Sequence, residues 1–280
     1  MTTIAAKTPR PFFRRAAAII AVAATAFLAA CESMGVGTSP VPPPPEIGLY
    51  ELRTYTATEG KMSQLDARFR NHTIGLFRKH GMTPIGFFHV QPLAGQPSDN
   101  RLIYILGYKD RAARDNAWRA FAADPEWTSA YAASEANGPL LTKAPENVFL
   151  TPTDYSPKLN MSGAGAQRFW ELRTYTANPG KLELLHNRFR NNTLRIFAKH
   201  GMGSFLYWRP TGGQPGWENR MVYLLDFPSK AQRDSAWAAF SADEEWKKVA
   251  ADSQKNGPLL ISPGGVVSVQ LVPTDYSPLK

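Results

Sequence analysis

One unit is written twice along this chain of 280 residues. Tyr50-Glu51-Leu52-Arg53-Thr54-Tyr55-Thr56 returns as Trp170-Glu171-Leu172-Arg173-Thr174-Tyr175-Thr176, and Lys79-His80-Gly81-Met82 as Lys199-His200-Gly201-Met202. Arg68-Phe69-Arg70-Asn71 recurs as Arg188-Phe189-Arg190-Asn191, and Asn137-Gly138-Pro139-Leu140 as Asn256-Gly257-Pro258-Leu259. Even the ending Pro152-Thr153-Asp154-Tyr155-Ser156-Pro157 comes back as Pro273-Thr274-Asp275-Tyr276-Ser277-Pro278. A period of about 120 residues is far above the roughly 20 to 50 of solenoids, so the chain carries a duplicated domain. The copies span 47–157 and 168–278, joined by a polar, Gly-rich linker at 158–167.

Each copy reads β-α-β-β-α-β. Glu51 to Thr56 alternates with period two, as a half-buried strand does. Thr58, and Asn178 before Pro179, read as helix N-caps. The apolar residues that follow (Leu65, Phe69, Phe77; Leu185, Phe189, Phe197) keep helical spacing, and Gly81 and Gly201 mark the stops. Strands are expected at Ile85–Val90, Leu102–Tyr108 and Asn147–Thr151, and again at Phe205–Arg209, Met221–Phe227 and Val266–Val272. Asp110 and Ser229 cap a second helix, and Asp124-Pro125 starts a further one. That order is α+β and ferredoxin-like: an antiparallel sheet with helices on one face. The other face, to which Tyr104 and Tyr223 are assigned, needs cover. Two copies on one chain supply it to each other as an intramolecular pseudo-dimer.

The first thirty residues read as an export leader. Lys7, Arg10, Arg14 and Arg15 precede the apolar stretch Ala16 to Ala30, the length of a signal peptide's core and short for a membrane span. It closes on Leu28-Ala29-Ala30-Cys31, which resembles the bacterial lipobox. The resemblance implies cleavage before Cys31 and its acylation, and several acyl chains anchor a domain stably. Residues 31–46, ending after Pro42-Pro43-Pro44-Pro45, form a semi-rigid tether. Glu32 after the cysteine favours the outer membrane, with the domains facing the periplasm. Without the leader's four bases, 28 basic residues face 23 acidic ones with no cluster, which argues against a nucleic-acid partner. A single cysteine leaves core packing to hold the chain together.

The Tyr-Glu-Leu-Arg-Thr-Tyr opening, the long first helix ending in Lys-His-Gly, and the run from Arg-Asp through Trp118 and Phe121 to Trp127 resemble the NIPSNAP family. The resemblance covers nearly all of both copies. It implies the dimeric α/β-barrel fold, built here from tandem copies, and a binding or scaffolding role for a small molecule or a protein. Relatives elsewhere in that superfamily include cofactor-free monooxygenases and haem proteins, which stand as the two alternatives.

Candidate residues are weighed on their chemistry. Glu51, Arg53 and Tyr55, and likewise Glu171, Arg173 and Tyr175, share one face of the first strand, where they either close a structural ion pair or hold a polar ligand. His80 and His200 end the first helix of each copy: helix caps in one reading, a catalytic base or haem ligand in the other, with Arg53 or Arg173 steadying an anion. Arg101 and Arg220, at the start of the third strand, are candidates for an acidic ligand, whereas Arg68, Arg70, Arg188 and Arg190 read as solvated helix charges. Trp118 and Trp237 wall a core or a cleft. His72 is replaced by Asn192, and His89 aligns with Trp208, so no metal set recurs. No cofactor motif is present: neither a phosphate loop, a nucleophile elbow nor a zinc signature.

Overall fold

The computed structural model describes residues 46–161 and 167–280. The leader, Cys31 and the tether to residue 45, with 162–166 of the linker, lie outside the described residues. Among the described residues no helix is long and apolar enough to cross a membrane.

The first copy runs β1 (Leu49–Thr56), α1 (Met62–Arg68), a π-helical turn (Phe69–Thr73), α2 (Ile74–Lys79), β2 (Thr83–Val90), β3 (Arg101–Tyr108), α3 (Arg111–Ala122), α4 (Pro125–Glu135) and β4 (Glu146–Pro152). The second repeats it: β5 (Phe169–Thr176), α5 (Leu182–Arg188), a π turn (Phe189–Thr193), α6 (Leu194–Lys199), β6 (Gly203–Pro210), β7 (Arg220–Phe227), α7 (Lys230–Ala242), α8 (Glu244–Ser253) and β8 (Val266–Pro273). All strand pairs are antiparallel, and the order β1-β3-β2-β8-β5-β7-β6-β4 closes on itself. The two sheets therefore join edge to edge, through β2 with β8 and β4 with β6. Closure leaves no strand edge free to recruit another chain.

Period-two alternation sorts the side chains. Tyr50, Leu52, Phe88, Ile103, Ile105, Val148, Trp170, Leu172, Trp208, Val222 and Leu224 pack together inside the barrel. Their neighbours along each strand point outward under the helices, where Phe69, Phe77, Phe87 and Tyr104, or Phe189, Phe197, Tyr207 and Tyr223, form an aromatic layer. Tyr104 and Tyr223 thus belong to the helix-covered face, not the face shared by the two copies. The pseudo-dimer is right, but other residues demand it. β2 and β6 carry β-bulges at equivalent places, between Pro84 and Gly86 and between Ser204 and Leu206, and the register sets Phe88, not His89, in the place of Trp208, with His89 matching Arg209.

Helix starts follow the sequence in part. Asp110 accepts from the Ala113 amide, Ser229 from that of Gln232, and Asp124 from that of Glu126 behind Pro125. Thr58 and Asn178 are not caps: α1 and α5 begin after Lys61 and Lys181 with no side-chain cap, while the Asn178 amide donates to the Pro258 and Leu260 carbonyls. In each π turn the Thr73 or Thr193 hydroxyl donates to the Arg68 or Arg188 carbonyl five residues back, at 3.1 and 3.2 Å.

The repeated Pro-Thr-Asp-Tyr-Ser-Pro ending is a clasp between the halves. The Thr153 amide donates to the Tyr207 carbonyl, and the Tyr207 amide to the Ser156 hydroxyl. Arg190 grips Asp154 with two bonds of 2.6 and 2.7 Å. Thr274, Ser277 and Asp275 do the same to Phe87 and Arg70. Tyr276 stacks on Phe69 and donates to Asp66 at 2.6 Å, while Tyr155 lies 2.6 Å from His186, a buried ring whose pKa burial pushes down to about 4. Arg70 and Arg190 are therefore clasp residues and not free helix charges.

Candidate functional site

Glu51 and Glu171 are the most heavily engaged of the candidates. Glu51 is wholly buried and accepts from Arg53 at 2.7 Å, twice from Arg114 at 2.6 and 3.0 Å, from the Trp118 indole at 2.9 Å and from the Tyr108 hydroxyl at 3.1 Å. Glu171 accepts from Arg173, twice from Arg233, from Trp237 and from the Ser268 hydroxyl, at 2.5 to 2.8 Å. Each first arginine lies over its tryptophan, Arg53 at 4.4 Å and Arg173 at 4.1 Å. Burial pushes the Glu171 carboxyl up, but Arg233, Arg173 and Ser268 outweigh it and hold its pKa at about 2. Arg114 also pairs with Asp115, which Arg111 reaches too, and Arg233 with Asp234, which Lys230 reaches. Tyr55 and Tyr175 close it: Arg53 faces the Tyr55 ring, and Arg173 donates to the Tyr175 hydroxyl.

Sequence reasoning missed Arg114 and Arg233. Their spacing four residues before Trp118 and Trp237 puts each pair on one helix face and was the available signal.

The histidines stand apart from these networks. His80 Nε2 lies 2.7 Å from Asp124, and His200 Nε2 lies 2.6 Å from Asp243, the acids that cap α4 and α8. Lys79 and Lys199 reach the same carboxylates, and these bonds, with those of the histidines, hold both acids well below the ordinary carboxylate range. Each histidine thus ties the end of α2 or α6 to the start of α4 or α8 and is not a partner of Arg53 or Arg173. Arg101 is clamped by Asp99, whereas Arg220 lies on Trp217 at 4.6 Å with its Nε unbonded; both line an opening of about 220 Å³ at one barrel end.

A different pair of clefts lies outside the barrel, one between α1 with its π turn and α4, the other between α5 with its π turn and α8. In the first half about 380 Å³ is lined by Gln64, Ala67, Arg68, Asn71, His72 and Ser134 among others. In the second about 530 Å³ is lined by Leu184, Asn187, Arg188, Asn191, Asn192 and Ser253, with Glu245, Lys248, Val249 and Asp252. Arg68 and Arg188, read from sequence as solvated, are 4% and 7% exposed. Long flexible bases are seldom buried this far without a partner. They lie on the buried face of α1 and α5 with Leu65 and Leu185, and a π turn, a distortion frequent at functional sites, begins at the next residue.

Comparison with known proteins places these features in context. The family model described as NIPSNAP matches residues 50–157 and 170–278. A search of curated proteins gave no match. Among solved structures, a candidate monooxygenase from Lactobacillus acidophilus superposes with a TM-score of 0.51 at 13% identity, covering 81% of this chain and 94% of that one. An anthrone oxidase-like protein gives 0.51 at 12% identity, covering 82% and 92%. A NIPSNAP-like domain protein from Burkholderia xenovorans is 24% identical over 40% of this chain and 90% of its own, with a TM-score of 0.35. The first two share the fold of the whole barrel.

Proposed function

The chain belongs to the NIPSNAP family, as two tandem copies, and from that premise we propose that it is a small-molecule-binding protein held at a bacterial cell envelope by a lipid on Cys31. The observation that carries the binding role is the second-half cleft, built around a nearly buried Arg188 beside a π turn, whose guanidinium has no ion-pair partner among the described residues, whereas its counterpart Arg68 pairs with Glu135. A scaffold that needed only stability would pay the desolvation of a guanidinium for no return, since buried charge costs several kcal/mol in general terms. The oxygenase alternative needs His80 or His200 beside Arg53 or Arg173 at one substrate. Instead, each histidine is bound to a capping aspartate and each arginine to a buried glutamate. Haem ligation by the same histidines meets the same obstacle.

The chain purified from the organism that makes it should release a small molecule on denaturation. Asn191→Trp, which fills the second cleft from an exposed position, should remove that molecule while leaving the melting temperature within a few degrees. Release of nothing, or unchanged release from the filled variant, contradicts the reading.

Anchoring follows from the leader alone. Cys31→Ser in a bacterial host should leave the chain uncleaved or move it from the membrane fraction to the soluble one. Continued fractionation with membranes after processing at the same place contradicts a lipid at Cys31.

A further inference from the structure

The two clefts are not equivalent, and the difference is a missing negative charge. In the first half, Arg68 donates to the Glu135 carboxylate at 2.8 Å and to the Ser134 hydroxyl at 3.0 Å, with Trp127 and Tyr131 flanking its guanidinium at 5.5 and 5.3 Å. In the second half, Trp246 and Ser253 stand where Trp127 and Ser134 do, but Gln254 replaces Glu135 and Ala250 replaces Tyr131. The Gln254 oxygen accepts from the Leu259 amide at 3.4 Å, as Glu135 accepts from that of Leu140 at 2.9 Å, but its NH2 group donates to the Ala250 carbonyl at 3.1 Å and gives the guanidinium no acceptor.

Arg188 is left with one long bond to Ser253, 3.4 Å, and the Trp246 ring at 5.2 Å. Its Nε has no hydrogen-bond partner, as is also true of Arg68, but unlike Arg68 it has no ion pair among the described residues. The acids in this cleft are engaged elsewhere, Asp252 with Lys248 and Lys255, and Glu245 with Arg195 and Lys199. The second cleft holds about 530 Å³ against about 380 Å³ for the first.

We infer that the second cleft binds a small organic carboxylate, whose carboxyl group takes at Arg188 the place that the Glu135 side chain occupies at Arg68. This rests on the binding role proposed above and deepens it. The first half shows what the buried guanidinium is built to hold: a carboxylate accepting from its terminal nitrogen, beside a serine hydroxyl. A guanidinium fork matches that geometry and gains strength from both charges. The Asn187, Asn191 and Asn192 amides around the rim offer donors and acceptors to a polar body attached to the carboxyl. The first cleft carries its own occupant and takes none from solution. Duplication has produced one filled copy and one open copy. The burial that lowers the Arg188 pKa accords with an arginine lacking its counter-charge.

The test uses the full chain labelled with [15N]arginine and follows each Nε–H resonance during titration with acetate and with benzoate, acetamide serving as the neutral control. One resonance, assigned to Arg188 by its loss in Arg188→Lys, should shift saturably with the carboxylates and not with acetamide, while that of Arg68 stays still. Glu135→Gln should make Arg68 respond as well. Gln254→Glu should weaken the Arg188 response by at least about tenfold. Both of these substitutions sit at a helix end, so each variant's melting curve confirms that it is folded. Silence of Arg188 towards both carboxylates, an equal response to acetamide, or an Arg68 that ignores acetate in Glu135→Gln overturns the inference. A molecule co-purified from the host that perturbs the cleft asparagines without moving Arg188 leaves the binding role standing and overturns only the carboxylate.

Discussion

Expressed without its partner, the first repeat, residues 47–157, should not persist as a folded monomer. Its inward face carries Tyr50, Leu52, Ile85, Phe88, Ile103, Ile105, Val148 and Leu150, all covered in the whole chain by the second half's Trp170, Leu172, Trp208, Val222 and Leu224. Exposing even half of that set costs on the order of 10 kcal/mol at about 1.5 to 3 kcal/mol per large side chain. That matches or exceeds the whole stability of an ordinary domain. Separation also frees the outer edges of β2 and β4, which pair only with β8 and β6 on that side, and strips Tyr276 and Asp275 from Phe69 and Arg70. Free edges beside an apolar face recruit another chain. Sedimentation should find dimers or larger species that rebuild the barrel from two identical halves. A well-folded monomer of 47–157 that binds no hydrophobic dye contradicts the edge-to-edge account.

Glu171→Gln should be the most damaging single conservative substitution, at about 3 to 5 kcal/mol, because removing one partner of a buried ion pair strands the others. The amide cannot neutralise Arg173 of β5 and Arg233 of α7, whose side chains are only 12% and 16% exposed. Glu51→Gln should behave alike, since it strands Arg53 and Arg114. The same group makes stability depend on pH. The folded pKa of Glu171, about 2, lies below its ordinary value of 4.5, so its contribution is complete above about pH 4.5 and is lost as pH falls towards 2. The shift corresponds to about 3 kcal/mol. Urea titrations at neutral pH and near pH 3 should therefore converge for wild type and Glu171→Gln as acid is added. A constant gap between them across that range contradicts a charged role for Glu171.

Much of this architecture was legible before any coordinates. The repeat announced two equal units, and helical and period-two spacing located every strand of both to within a residue or two at each end. The helix caps at Asp110, Ser229 and Asp124 were readable because a short polar side chain beside a helical run has one common use. Thr58 and Asn178 carried the same signal and failed, because the chain makes a turn through Gly60 and Gly180, at positive φ, before either helix begins.

The candidate site was legible only in fragments. Glu51, Arg53, Tyr55 and Trp118 do meet, but Arg114, which completes their network, comes from a helix sixty residues away that only the fold brings over β1. Arg68 and Arg188 looked like surface charges by residue type alone, although they stand three residues after Leu65 and Leu185 and so share the buried face of α1 and α5. The closing Pro-Thr-Asp-Tyr-Ser-Pro motif was visible as a repeat, yet its use depends on crossing to the other copy, a relation the sequence does not encode locally.

The central claim is that one of two duplicated clefts has been opened for a carboxylate. A crystal structure of the chain purified from its own host tests it most directly. Density for a bound carboxyl group is expected about 2.7 to 2.9 Å from the Arg188 guanidinium, with the Gln254 amide still on the Ala250 carbonyl and Glu135 still seated on Arg68. An Arg188 cleft holding only water, with Gln254 folded back onto the guanidinium, contradicts it, as does a ligand lodged in the first cleft in place of Glu135.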